Sequence, residues 1–296
     1  MNKKLINWGI FILLSVIWGS SFLLMKIGMQ AGTVQLSPYQ VASLRMVFSG
    51  IVLLPFAFKA LQQIPKNKLG LVILSGIIGN FIPAYLFCIA ETKIDSALAG
   101  ILNSLTPLFT IIVGMVVFKI SIDPKKIGGI LLGLVGLCIS VVAGKTLHFE
   151  NISFSIFIIL ATICYGFNVN MVGKHMQNIS AINIASLAFS FSIIPATLIL
   201  FWTGYFNYDF TNPALLNATL ASGTLGVINT SIASILFYVL VKRAGILFAS
   251  TVTYAIPFVS LAMGLLYNEA IHPMRLLGLA IILCGVYIVN KRSTAK

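Results

Sequence analysis

Apolar runs of about helix length follow one another along the whole chain, with short polar breaks between them. A helix of about 20 apolar residues is long enough to cross a bilayer core of about 30 Å. The pattern therefore predicts an all-α membrane protein. Its ten predicted membrane-crossing helices lie near residues 8–29, 38–58, 69–90, 95–118, 126–143, 152–173, 181–203, 215–241, 246–267 and 274–290.

The second half of the chain repeats the first half in sequence. Adding 150 to the residue number pairs Leu86-Phe87 with Leu236-Phe237, Ala99 with Ala249, Pro107 with Pro257, Gly114 with Gly264 and Gly128 with Gly278. Nearer the N-terminus the offset is 147, which pairs Ser75-Gly76 with Ser222-Gly223, so three extra residues enter around Asn229. We therefore predict two repeats of five spans each, residues 1–146 and 147–296.

An odd number of spans in each repeat predicts that the second repeat is inverted relative to the first. The loop after the second span carries Lys59, Lys66 and Lys68, whereas the equivalent loop after the seventh span carries Asp209. Cytoplasmic loops of membrane proteins are rich in lysine and arginine. Two other pairs of equivalent loops differ in charge as inversion requires. The charges thus predict opposite orientations for the two repeats and cytoplasmic positions for both chain ends.

The composition argues against several other classes of protein. The chain is 59% hydrophobic and 8% charged, and its net charge of +13 comes from residues in short loops, so no nucleic-acid partner is expected. The four cysteines lie within predicted spans and indicate neither a disulfide nor a metal site. The first span is too long for the apolar part of a signal peptide and should stay attached. The three histidines lie in separate loops without catalytic or zinc spacing, and no cofactor is predicted.

Two prolines in equivalent spans mark the predicted functional site. Proline removes the helical hydrogen bond to the carbonyl four residues earlier, so Pro107 frees the carbonyl of Asn103. Pro257 does the same for Thr253. A free carbonyl at membrane depth must face protein or a water-filled cavity. We predict that Asn103 and Thr253 line such a cavity beside these helix breaks; the alternative is that both side chains only satisfy the backbone of a kink.

Other polar and aromatic side chains near the middle of the spans are candidates for the same cavity. Asn80 and Asn229 would line it, or they would hydrogen-bond between helices, as polar side chains in membranes ordinarily do. Trp18, Tyr165 and Tyr254 would stack on an apolar or aromatic substrate, or they would only pack between helices. The sequence leaves both alternatives open for each of these residues.

Arg45 lies about two turns into the second span. An arginine within the membrane costs several kcal/mol unless it finds a partner or reaches the headgroups, and it marks a functional site by default. Arg45 would serve as the counter-charge for an anionic group, or its side chain would reach the outer headgroups. The second repeat has Ala188 at this position, so the repeat does not require a charge. Asn168 and Asn170, nearer the inner end of the sixth span, are expected only to approach the headgroups.

The positions of the acidic residues bear on energy coupling. None of Glu91, Asp95, Asp123, Glu150, Asp209 and Glu269 is predicted deep within a span. Proton-coupled transporters commonly use an intramembrane carboxylate as a relay. We therefore expect facilitated movement or exchange rather than proton coupling.

Short motifs are spread over the whole chain. Trp18 to Phe22 reads Trp-Gly-Ser-Ser-Phe, the second span holds Leu44-Arg45, and the fourth holds Leu105-Thr106-Pro107. With the segment from Pro257 to Gly278, these motifs resemble the drug/metabolite transporter (DMT) superfamily, specifically its EamA family. The resemblance implies ten helices in two inverted five-helix units, a central cavity built mainly by the first four helices of each unit, and export or exchange of small metabolites.

One position departs from the pattern of that family. Where the family often has an acidic residue after the fourth span, this chain has Lys119, and only Glu269 in the second half keeps the acidic residue. Any role that the family gives to this position is therefore carried over to one half alone.

The sequence predicts a secondary transporter, because inverted repeats with interrupted helices are typical of such proteins. It would move amino acids, related metabolites or toxic compounds across a bacterial cytoplasmic membrane by alternating access, as an exporter or facilitator. A receptor or assembly factor on the same frame is the alternative, and a membrane-embedded enzyme is a weaker one. The sequence shows no nucleotide-binding loop, which argues against an ATP-driven pump. A monomer and a homodimer are both open.

Overall fold

The computed structural model describes residues 3–30, 35–120, 125–142, 149–266 and 272–290. Within those ranges every regular element is helical, which confirms the all-α class. The α-helices are α1 (Lys3–Met29), α2 (Pro38–Gln63), α3 (Lys66–Gly76), α4 (Ile82–Ala90), α5 (Ser96–Asn103), α6 (Thr106–Val116), α7 (Lys125–Val142), α8 (Phe149–His175), α9 (Ala181–Trp202), α10 (Pro213–Thr224), α11 (Ala233–Ala244), α12 (Ile246–Ser250), α13 (Ile256–Leu266) and α14 (Pro273–Asn290).

Eight helical stretches of the described chain are long and apolar enough to cross a membrane. They are Lys4–Met29, Pro38–Gln63, Lys66–Ala90, Ser96–Val116, Ser153–His175, Ala181–Trp202, Pro213–Ala244 and Ile246–Leu266. Two shorter apolar helices, Leu131–Ser140 and Pro273–Gly285, lie where the fifth and tenth spans are predicted. By length and composition the structure thus supports eight crossings, and the count of ten stays a prediction.

Capping residues explain why the helices begin where they do. The Ser37 hydroxyl accepts the backbone N–H of Gln40, the Gln40 side chain accepts the N–H of Ser37, and Pro38 follows at the first helical position. Ser180, 143 residues later, caps α9 by accepting from the backbone N–H of Asn183, without the reciprocal side-chain bond. The cap therefore recurs together with the helix that it begins.

Two π-helical segments interrupt equivalent spans. The first, Ile77–Phe81, joins α3 to α4, and the second, Leu225–Ile232, joins α10 to α11. The first has five residues and the second has eight. The longer segment lies where the repeat offset changes from 147 to 150, so it takes up the three extra residues of the second half. Such π segments are rare and often lie at functional sites.

The helices of the two halves pack in matched pairs. α3 packs on α9 while α10 packs on α2, and α6 packs on α8 while α13 packs on α1. Two pairs join equivalent helices to each other, α2 with α9 and α7 with α14. The main helix contacts that cross from one half to the other thus have counterparts in which the roles of the halves are exchanged.

The α7–α14 pair is held by close backbone contact at glycines. A Cβ on Gly136 would lie 2.7 Å from the carbonyl oxygen of Gly278, and a Cβ on Gly285 would lie 2.6 Å from that of Gly129. Helices in membranes associate closely through such small residues. None of the side chains that the structure describes in this pair is part of the lining of the central cavity described below.

Candidate functional site

A cavity lies between the two halves of the chain. It contains about 760 Å³ that protein atoms do not fill, counting the space at its opening. Most of its lining is apolar or uncharged, and it is built from α1, α2, α4, α5, α6, α8, α11, the two π-helical segments and the break in the ninth predicted span. We call this space the central cavity.

The structure brings most of the predicted site residues together. The cavity is lined by Trp18, Arg45, Asn80, Asn103, Tyr165, Asn229 and Thr253. Tyr254, the next residue along the chain, is not part of the lining and packs against the apolar cluster around Leu105 and Leu108. Pro107 and Pro257 are buried behind the lining. Whether the lining residues contact a substrate stays a prediction.

Both proline-containing spans are interrupted at equivalent places. α5 ends at Asn103 and α6 begins at Thr106, and the Thr106 hydroxyl donates to the carbonyl oxygen of Asn103 at 2.8 Å. A side chain thus satisfies the carbonyl that Pro107 leaves without its helical donor. In the second half α12 passes into a 3₁₀ turn, Thr251–Tyr254, before α13 begins at Ile256. Ile256 stands where Thr106 stands and has no hydroxyl to donate.

Trp18 and Asn229 bind to each other's helices. The indole N–H of Trp18 donates to the backbone carbonyl of Asn229 at 3.0 Å, and the side-chain amide of Asn229 donates to the carbonyl of Ile17. The pair joins α1 of the first half to the π-helical segment of the second half. The indole N–H of Trp18 and the amide N–H of Asn229 therefore serve an interhelical contact. The remaining surface of these two side chains lines the cavity.

A second group of polar side chains joins α3, the first π-helical segment, α8 and α11. The hydroxyl of Tyr238 accepts from the amide of Asn80 at 3.1 Å and from that of Asn168 at 3.3 Å. Ser75 donates to the amide oxygen of Asn168 at 2.6 Å, and Ser234 donates to that of Asn80 at 3.3 Å. Buried polar groups joined in this way fix the helices relative to one another.

Asn168 corrects an expectation from the sequence. It was expected near the headgroups, but it is 4% exposed and lines the central cavity. The repeat carried a signal for this position: subtracting 147 places Asn168 on Ser21 and Tyr165 on Trp18, and all four residues line the cavity. Equivalence between the halves was thus a better guide to depth than distance from the end of the span.

Asn170 is also buried, and its depth relative to the headgroups stays a prediction. It is 1% exposed, and its amide donates to the carbonyls of Thr110 and Gly166, both at 2.8 Å. It lines a second space, of about 1070 Å³ unfilled by protein atoms, together with Gly173 and Phe248 among others. Asn170 thereby joins α8 to α6 at the edge of this second space.

Arg45 lies inside the protein. Its side chain is enclosed, with the residue 9% exposed, and its Nε donates to the hydroxyl of Thr230 at 2.6 Å. The Thr230 hydroxyl in turn donates to the carbonyl of Leu225, at 2.8 Å, within the second π-helical segment. The Thr230 oxygen therefore keeps a lone pair directed at Arg45. This geometry holds the guanidinium at the wall of the central cavity, where protein encloses it.

The charged residues of the described chain are distributed unevenly around the cavity. Arg45 lines it, and no Asp or Glu of the described residues does. Glu91 is 3% exposed and lies with Gln40 in a separate space, at the opposite end of the bundle from Phe248. Asp95 caps α5 and forms an ion pair with Arg275 of α14. Among the side chains that the structure describes, no cluster could hold a metal ion.

Some charged and ionisable residues that the sequence singled out lie outside the described residues. These are Asp123, His148 and Glu269, and for Glu150 the structure describes only the backbone. The acidic position after the ninth span is therefore not part of the geometry given above.

Comparison with known proteins identifies the family of this chain. The model of the EamA-like transporter family matches the chain twice, over residues 7–142 and 153–291. A probable amino-acid metabolite efflux pump of Salmonella typhimurium is 24% identical, over 94% of this chain and 92% of that one. The S-adenosylmethionine/S-adenosylhomocysteine transporter of Chlamydia trachomatis is 24% identical, over 92% of this chain and 85% of its own.

Two further matches concern location and fold. The inner membrane transporter YedA of Escherichia coli, itself uncharacterised, is 24% identical over 96% of this chain and 90% of that one. A solved crystal structure has a TM-score of 0.65 at 17% identity and covers 95% of both chains, which shows a shared fold alone. The relatives are named as transporters, which points away from an enzyme. With matches that span nearly its full length, this multi-pass membrane chain belongs to the EamA-like transporter family.

Proposed function

We propose that this chain is a secondary transporter that carries small metabolites across the bacterial cytoplasmic membrane by alternating access. Ten spans would form two inverted repeats, residues 1–146 and 147–296, with both chain ends in the cytoplasm. The observation that carries the proposal is the central cavity, which equivalent residues of both halves line in pairs, such as Trp18 with Tyr165 and Asn103 with Thr253. Substrate sites of secondary transporters lie at such repeat interfaces near the bilayer midplane.

The matched packing supports two conformations of similar energy. Because the main helix contacts between the halves come in pairs with exchanged roles, the rearrangement that opens one side of the cavity would have an equivalent that opens the other. The broken helices and the π-helical segments supply places where the backbone can bend without losing long runs of helical hydrogen bonds. A rocking motion around the central cavity follows from this arrangement.

Two further spaces lie on either side of the central cavity along the helices. One is lined by Gln35, Gln40 and Glu91, near the ends of α1 and α4 and the start of α2. The other is lined by Asn170, Gln177 and Phe248. With the chain ends in the cytoplasm, the first space would face outward and the second would face the cytoplasm. Together with the central cavity they would mark a path across the membrane.

Amino acids and related metabolites are the proposed substrates, moved outward or down their gradients. The support is the naming of relatives as an amino-acid metabolite efflux pump and an S-adenosylmethionine/S-adenosylhomocysteine transporter, which is said of those proteins. No Asp or Glu of the described residues lines the central cavity, which favours facilitated movement or exchange over proton coupling.

Flux in vesicles tests the proposal. Purified protein in proteoliposomes loaded with a mixture of amino acids and their derivatives should release some of them faster than protein-free vesicles do, without ATP. An imposed pH gradient should not be required for an uncharged compound. If every compound is released no faster than from protein-free vesicles, the receptor or assembly-factor alternative is favoured.

A further inference from the structure

The hydrogen bonds around the central cavity leave few polar groups for a substrate. The indole N–H of Trp18 is used by the Asn229 carbonyl, and the amide N–H groups of Asn80 and Asn168 are directed at Tyr238. The Asn229 amide is used by the carbonyl of Ile17. These side chains hold helices together, so they offer mostly carbon surface to a bound molecule.

Arg45 and Asn103 differ from their neighbours in the cavity wall. A guanidinium carries five N–H donors, and within the described part of the chain Arg45 uses one of them, at Nε, for Thr230. Asn103 accepts from Thr106 at its amide oxygen, and no described residue accepts from its amide nitrogen. The donors that remain available in the lining therefore include the Nη groups of Arg45, which are cationic, and the amide nitrogen of Asn103.

The charge of the cavity has a definite sign. Arginine stays protonated in proteins, and burying its charge is costly unless an anion lies beside it. No carboxylate of the described residues lines the cavity; Glu91 lies in the separate space beside Gln40, and Asp95 is engaged by Arg275. Among the described residues, the lining therefore contains no counter-charge for Arg45.

Aromatic rings form another part of the cavity wall. The rings of Phe87 and Tyr165 lie 6.0 Å apart at an interplanar angle of 25°, and Phe22 lies 5.9 Å from Phe87. All three rings are part of the lining. Such a wall favours a flat or apolar body, since aromatic rings pack well against one another and against hydrocarbon.

We propose that the central cavity selects organic anions: one carboxylate binds the free Nη groups of Arg45, and an apolar body packs against Phe22, Phe87 and Tyr165. Arginine binds carboxylate through two parallel N–H donors, and the Thr230 hydroxyl holds the guanidinium in position for this. The inference rests on the proposed transport function and adds the charge of the substrate. Cations of the same shape are rejected because they meet Arg45 without a compensating carboxylate.

Matched ligands test the sign of the charge. Binding of phenylacetate, phenylacetamide and phenethylamine to purified protein is measured by calorimetry, and so is binding of the acid, amide and amine built on butyl and indolyl bodies. For at least one body we expect the acid to bind about 10- to 100-fold more tightly than its amide, the difference that charge-assisted hydrogen bonds supply, and the amine not to bind. The proposal fails when no acid binds more tightly than its own amide.

Variants separate the role of Arg45 from a role in folding. Arg45→Gln should lower the acid-to-amide affinity ratio to near one, while Arg45→Lys should retain part of it because the charge stays and the two-pronged geometry does not. Thr230→Val removes the group that positions the guanidinium and should lower the ratio about three- to tenfold. Arg243→Gln, which removes an exposed arginine that contacts Asn7, is the matched control and should leave the ratio unchanged. A ratio that Arg45→Gln and Arg45→Lys both leave at the wild-type value would overturn the assignment.

Transport and charge selection can fail separately. An acid that binds through Arg45 but is not released from proteoliposomes would leave the site in place and remove the transport function. Flux of an amide or amine that equals flux of the acid, and that Arg45→Gln does not change, would keep the transport function and overturn the anion site.

Discussion

The second and ninth α-helices, α2 and α9, are equivalent helices with different chemistry. Both approach the other half at a glycine: a Cβ on Gly226 would lie 2.5 Å from the Arg45 carbonyl, and a Cβ on Gly76 would lie 2.7 Å from the Ala188 Cβ. The two glycines are not equivalent in the repeat, but at each of them α2 or α9 packs closely against the other half. Yet Arg45 sends its side chain to Thr230 and the cavity, whereas Ala188 ends in close contact with the facing helix. The two halves share equivalent helices, but only the first half has a charged residue at this position.

The largest expected loss of stability comes from placing an arginine at the equivalent position of the second half. In Ala188→Arg the long side chain meets Gly76 at a contact with no free space, and a buried cation is left without an anion. Overpacking and an unpaired buried charge should together cost about 3–5 kcal/mol, so we expect little monodisperse protein in detergent. Ala188→Ser is the control and should be obtained in wild-type yield. An Ala188→Arg protein as stable as wild type would show that the two sides are not distinguished by packing.

A smaller loss of stability is expected at the contact between α7 and α14, where the two halves meet outside the candidate site. Gly136→Val should lower the free energy of unfolding by about 2–4 kcal/mol, because the valine Cβ would press on the backbone of Gly278. Gly128→Ala, whose Cβ would have no neighbour within 4 Å, is the control and should be neutral. Thermal unfolding monitored by gel filtration gives the measurement. Ligand preference among the remaining folded molecules should not change, since the α7–α14 pair lies outside the cavity lining; a changed preference would mean that this pair shapes the site.

The smallest effect concerns the two helix breaks. Thr106→Val removes the hydroxyl that satisfies the Asn103 carbonyl and should cost about 1–2 kcal/mol. Ile256→Val, at the equivalent place in the second half, removes no hydrogen bond and should cost less, about 1 kcal/mol. Melting temperatures of the two variants give the comparison. An equal or larger loss for Ile256→Val would indicate that the breaks do not differ in the way the hydrogen bonds suggest.

The sequence predicted the frame more fully than the site. Apolar run lengths and the paired prolines indicate helices and breaks locally, and the structure has helices and breaks at those places. The π-helical segments could not be read from composition, because a π turn differs from an α turn by one residue in hydrogen-bond register. Their only sequence trace was the shift of three residues in the repeat offset near Asn229.

Side-chain direction was the other gap. Trp18 and Asn229 were predicted separately as lining residues, but their polar groups pair with each other's helices, a long-range contact that no local pattern reveals. Tyr254 lies next to Thr253, yet the 3₁₀ turn directs it to the apolar cluster around Leu105 instead of the cavity. One residue of helical rotation, set by packing of the whole bundle, decides such cases.

The central claim is that the two halves are inverted relative to each other, and cysteine labelling tests it most directly. Lys66→Cys and Asn207→Cys place single exposed thiols in the connections that follow α2 and α9, at the first residue of α3 and in the 3₁₀ turn Tyr205–Asn207, in a background without the native cysteines. A membrane-impermeant maleimide should label Asn207→Cys in intact cells and Lys66→Cys only after the membrane is opened. Labelling of both from the same side would contradict the inverted arrangement, and with it the proposed transport mechanism.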